Sequence, residues 1–125
     1  MEFNWISKEH TGHKMTTDVK LSLCGQGRQA LVTFSASAMN VKFNKAKFMT
    51  LAICGERIYF REAEEDDGYA VNRFSDTASG SIKLANADLI KWIHKHPDAT
   101  IRNMRFDSVN HFYFIDAKEK DLRWA

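Results

Sequence analysis

Val19-Lys20-Leu21-Ser22-Leu23-Cys24-Gly25-Gln26-Gly27-Arg28-Gln29-Ala30-Leu31-Val32-Thr33-Phe34 is the stretch that decides the fold of this chain. Apolar and polar residues alternate from Val19 to Leu23, the period-2 pattern of a strand with one buried face. Gly25-Gln26-Gly27 turns the chain, because glycine accepts positive φ without a Cβ clash. Arg28 to Phe34 returns as a second strand, with Ala30, Val32 and Phe34 on one face. Ser35 then offers a hydroxyl N-cap to a short helix over residues 36–41 or 36–43. Residues 48–53 and 57–61 make a hairpin about Cys54-Gly55-Glu56.

Outward from this unit, the same order of elements returns downstream. Residues 69–74 read as a strand, 76–80 as a polar turn, and 81–84 alternate as a further strand. Asn86 caps a helix that carries Leu89, Ile90, Trp92 and Ile93 as one apolar stripe, and Pro97 marks its end. Residues 101–106 and 111–115 form a second hairpin around 107–110. Ala30-Leu31-Val32-Thr33-Phe34-Ser35 aligns with Gly80-Ser81-Ile82-Lys83-Leu84-Ala85, and residues 57–63 align with 111–117. Solenoids need at least three repeats, so two units predict a closed pseudo-symmetric pair.

The expected fold is α+β: a small β-barrel or paired half-barrels from two tandem strand-strand-helix-hairpin repeats. The expected organisation is a single domain over 1–125, with an N-terminal arm (1–18), a first repeat (19–63), a second repeat (69–117) and a tail (118–125). Phe3 and Trp5 are expected to dock the arm, and Leu122 and Trp124 the tail. The expected core is Val32, Phe34, Leu51, Ile58, Phe60, Ile82, Leu84, Leu89, Trp92, Met104, Phe112 and Phe114.

The 125 residues are 44% hydrophobic and 27% charged, an ordinary globular balance that excludes a disordered chain. A net charge of +2 is too small to announce a polyanionic partner, so the placement of basic residues has to decide. Two cysteines, Cys24 and Cys54, are too few for a disulfide framework and are expected to be reduced and buried. The opening MEFNWISKEHTGHKM holds no apolar run of signal-peptide length, and no stretch approaches the ~20 apolar residues of a membrane span. The expectation is a soluble, cytoplasmic protein.

The order strand, Gly27-Arg28 turn, strand, short helix, hairpin resembles the AbrB/MazE-type swapped-hairpin family, over roughly residues 19–116. In that family two such halves interlock. Residues 48–61 look like its terminal hairpin. The chain departs from the pattern in lacking the proline between second strand and helix, and in having Gly80-Ser81 where a second Gly-Arg would stand. What the resemblance implies is a small non-enzymatic DNA-binding transcription regulator of AbrB-like type.

Basic residues recur beside the first two strands of each half. Lys20 and Arg28 flank the first turn, Lys42, Lys45 and Lys47 follow the first helix, and Arg73 and Lys83 flank the second turn. These seven are the candidate contacts to DNA phosphates. The aromatic run His111-Phe112-Tyr113-Phe114 offers either a base-stacking platform or a core strand, and the alternation favours core. The alternative function is a protein-binding inhibitor or adaptor of phage or mobile-element type that blocks a host factor. Its docking element would be the acidic run, through Glu64, Glu65, Asp66 and Asp67. No catalytic signature emerges: the glycine turn lacks phosphate-loop spacing, and no carboxylate pair recurs. Neither His94 with His96 nor His10 with His13 has the further ligands zinc needs, so no metal and no cofactor is expected.

Overall fold

Gly25 (φ 59°), Gln26 (φ 60°) and Gly27 (φ 83°) fold Val19–Cys24 (β1) back on Gln29–Phe34 (β2). The pair runs antiparallel from Val19 opposite Phe34 to Cys24 opposite Gln29. The computed structural model describes residues 15–119, so the expected docking of Phe3, Trp5, Leu122 and Trp124 and the His10/His13 pair lie outside the described residues. After β2 the Ser35 Oγ accepts the Ala38 N–H at 3.0 Å, the expected capping contact. The chain then makes a π-helical turn, Ala38–Lys42, in which the Phe43 N–H donates to the Ala38 carbonyl. The wider turn leaves Ala38, Met39 and Phe43 all buried, and left-handed Asn44 and Lys45 end it.

Phe48–Cys54 (β3) and Arg57–Glu62 (β4) form the expected hairpin. The expected strand over 69–74 is two strands in different sheets. Tyr69–Ala70 (β5) pairs with β3, and Asn72–Arg73 (β6) pairs with Gly80–Leu84 (β7). Val71 is the crossing point, its N–H held by the Lys47 carbonyl at 2.8 Å. Next comes the single α-helix of the described residues, Ala87–Lys95 (α1), where the Asn86 Oδ1 accepts the Leu89 N–H and Leu89, Trp92 and Ile93 are buried. The expected strand over 101–106 also divides, into Ile101–Arg102 (β8) beside β1 and Arg105–Asp107 (β9) beside Phe112–Asp116 (β10). At this second crossing the Asp18 carboxylate accepts the Met104 N–H at 2.8 Å, and Asn103 Oδ1 accepts the Asp18 N–H at 3.1 Å.

The result is two antiparallel five-stranded sheets, ordered β6-β7-β2-β1-β8 and β5-β3-β4-β10-β9. This corrects the expected fold. Neither sheet closes into a barrel or half-barrel; each ends in short edge strands of two or three residues. Nor does a strand-strand-helix-hairpin unit occur twice, because a five-residue π-helical turn stands where the first helix was expected. The described residues are mostly β, with one short α-helix. Each sheet does join its two halves at the centre: Val32 lies opposite Ile82 where β2 meets β7, and Phe60 lies opposite Tyr113 where β4 meets β10.

The inner faces of the two sheets share one core. Phe34 sits edge-on to both Phe43 and Phe60, with ring centroids 5.3 and 5.4 Å away, a favoured aromatic geometry. Helix α1 lies against β1 and β2, and its Trp92 Nε1 donates to the Gly55 carbonyl at the β3–β4 turn. Three expected core residues depart. Leu51 is half-buried, and Phe112 is exposed. Tyr113 and Ile115 face the core instead, while Phe114 is buried on the opposite face beneath Arg57, whose guanidinium lies 4.3 Å from its ring.

Candidate nucleic-acid interface

No strand of the first sheet contains an aspartate or glutamate. Alternation turns Ala30, Val32, Phe34, Ile82 and Leu84 inward, which leaves the intervening side chains on the outer face. Across that face Lys20 stands opposite Thr33, Thr33 opposite Ser81, and Ser81 opposite Asn72. The next row is Ser22, Leu31 and Lys83, and Arg28 projects from the turn at the end of β1 and β2. The strands carrying Lys20 and Lys83 are two spacings apart, about 10 Å. Lys20, Arg28 and Lys83 are exposed, and none forms an ion pair among the described residues.

The other four candidate cations do not join this face. Lys45 pairs with Asp76 at 3.2 Å. Arg73 donates to the Ala78 carbonyl, the Asn40 side chain and the Asp76 carbonyl at 2.7–2.8 Å, fastening residues 75–78 to the π-helical turn. Lys42 lies 5.4 Å from the centre of the Tyr113 ring, and Lys47 is exposed just before β3.

The outer face of the second sheet is electrostatically different, because its charges are matched. Arg57 Nε meets Asp116 at 2.9 Å, Arg57 Nη1 donates to the Tyr59 hydroxyl, and that hydroxyl donates to Asp107 at 3.2 Å. Arg105 pairs with Glu119, and Arg61 with Asp67. Hydrogen bonds donated to Tyr59 and then to Asp116 push the Arg57 pKa upward. The acidic run is partly consumed by its own loop: Asp67 accepts the Glu64 N–H at 2.8 Å, which with the Arg61 guanidinium holds its carboxyl below the usual range. Glu64, Glu65 and Asp66 remain exposed.

Among the described residues no three metal-ligating side chains converge. His96 instead contacts Glu56 at 2.9 Å and packs on Trp92. Cys54 is exposed and Cys24 half-buried, contrary to the expected burial of both, since each sits at the turn end of an outer-face row. Sequence reasoning missed the hydroxyl and amide row of Thr33, Ser81 and Asn72. The signal was present in the alternation that turned Phe34 and Ile82 inward, but the row also needs β6, β7 and β2 to be adjacent. No helix among the described residues is long and apolar enough to cross a membrane. The chain matches no protein-family model, no curated protein and no solved structure, so the swapped-hairpin resemblance rests on the residues quoted for it.

Proposed function

We propose that this chain is a small DNA-binding regulator that contacts the DNA backbone through the outer face of its first sheet. The observation that carries the reading is a five-stranded sheet with no acidic residue in its strands, whose outer face bears Lys20 and Lys83 and whose first turn bears Arg28, all three without ion-pair partners among the described residues. Backbone recognition draws on Lys and Arg together with Ser, Thr, Asn and Gln side chains. Lys20, Ser22, Gln29, Thr33, Asn72, Ser81 and Lys83 supply that set on one face. On this reading Lys45 and Arg73 are framework residues and leave the list of contacts.

The test is affinity for duplex DNA as a function of salt, in wild type and in the Arg28→Ala/Lys83→Ala double variant. Each lost phosphate contact lowers the slope of log K against log salt by roughly one unit, so the double variant is expected to lose about two. Exposed cations contribute little to folding, so its melting temperature stays near that of wild type. Absence of wild-type binding at low salt, or an unchanged slope in the variant, contradicts the reading. In that event, capture of a partner that depends on Glu64, Glu65 and Asp66 would favour the protein-docking alternative.

A further inference from the structure

We infer that the cleft at the β7 side of this face takes a single unstacked DNA base together with its phosphate. The inference rests on the DNA-binding reading and goes further, since it makes the protein prefer single-stranded or locally opened DNA. The open cleft, of about 600 Å³, is lined by Tyr69, Asn72, Ser81, Lys83, Leu31 and Cys24 among others, with no acidic residue among the described lining. It forms where the chain leaves the second sheet at β5 and joins the first at β6, which brings Tyr69 to the same cleft as Ser81 and Lys83.

Each part of a nucleotide meets suitable chemistry there. Tyr69 is 41% exposed, an amphipathic ring half out of water and able to stack on a base face. Leu31, on the adjacent strand, adds an apolar surface. The exposed Asn72 side chain has no hydrogen-bond partner among the described residues, which leaves its amide to pair with a base edge. Lys83 and Ser81 supply a cation and a hydroxyl for the phosphate. A base inside a duplex is already stacked on both faces and cannot reach Tyr69, whereas a single strand presents its bases freely.

Fluorescence anisotropy of the full chain with a labelled single strand and with a duplex of the same sequence tests this. Wild type is expected to favour the single strand. Tyr69→Ala is expected to lose about tenfold in single-strand affinity, with the salt slope and duplex affinity unchanged, because stacking is not electrostatic. Tyr69→Phe keeps the ring and is expected to bind like wild type. Asn72→Ala, at a solvent-facing side chain, gives a second reading in an intact fold: a single-strand loss that exceeds the duplex loss supports the cleft, and an equal loss or unchanged affinity overturns it. A Tyr69→Ala protein that is folded and binds single strands like wild type also overturns it, while a slope that still depends on Arg28 and Lys83 leaves the DNA-binding reading standing. Loss of wild-type binding to both DNA forms removes both proposals together.

Discussion

Gly80 shows how tightly one residue is specified. It is buried at the start of β7, and a Cβ there would lie 2.8 Å from Val71 Cγ1 and 3.3 Å from Met39 Cγ. Val71 is the crossing point between the sheets and Met39 belongs to the π-helical turn, so neither neighbour retreats freely. Gly80→Ala is therefore expected to cost about 1–3 kcal/mol, as overpacking does. A lower urea midpoint with unchanged m would show it, and an unchanged midpoint would contradict the packing. The sequence offers no hint of this role, since Gly80 reads simply as the end of a polar turn. Phe34, by contrast, is legible from the alternation of β2, and it sits at the centre of the core. Phe112-Tyr113-Phe114-Ile115 is aromatic or aliphatic at every position, so alternation could not say which pair faces inward. The decision falls to Arg57, which covers Phe114 and lets Tyr113 and Ile115 take the core.

At the scale of elements, the hairpins β1–β2 and β3–β4 and the helix α1 were readable, because turn residues, caps and periodicity are local. The crossings at Val71 and at Asn103-Met104 were not. Each breaks a plausible strand where its backbone changes partners, and only the tertiary structure supplies those partners, Lys47 in one case and Asp18 in the other. The same holds for the carboxylates that bind β9, β10 and β4 together. Asp107 is held below the usual carboxylate range by the Asn110 backbone and side chain. For Asp116 partial burial pushes upward, but the Lys118 N–H and the Arg57 guanidinium outweigh it and the net direction is down. A carboxyl with a depressed pKa in the fold contributes fully above its unfolded pKa, about 4, and the contribution is lost as pH falls through the folded value. Melting temperature is therefore expected to fall below about pH 4, and less steeply in Asp116→Asn. A variant that follows the wild-type acid profile would show that Asp116 adds nothing.

Over the whole molecule, a net charge of +2 conceals two unlike faces. The second sheet spends Arg57, Arg61 and Arg105 on Asp116, Asp67 and Glu119, whereas the first sheet leaves Lys20, Arg28 and Lys83 without such partners among the described residues. Of the seven cations singled out in the sequence, Lys20 and Lys83 share a face and Arg28 stands in the turn at its end. Lys45 and Arg73 were indistinguishable from them until Asp76, Asn40 and Ala78 came into contact. The expected barrel failed for a related reason: pairing β2 with β7 and β4 with β10 extends two open sheets, and nothing in strand order alone sets closure. The most direct test of the DNA-binding account is a backbone-amide NMR titration of the protein with a short DNA. The account predicts that shifts concentrate in β1, β2 and β7 and in the 24–28 turn, and that Arg57, Tyr59 and residues 62–67 stay unmoved. Shifts confined to the second sheet or the acidic run, or no shifts at low salt, would contradict it.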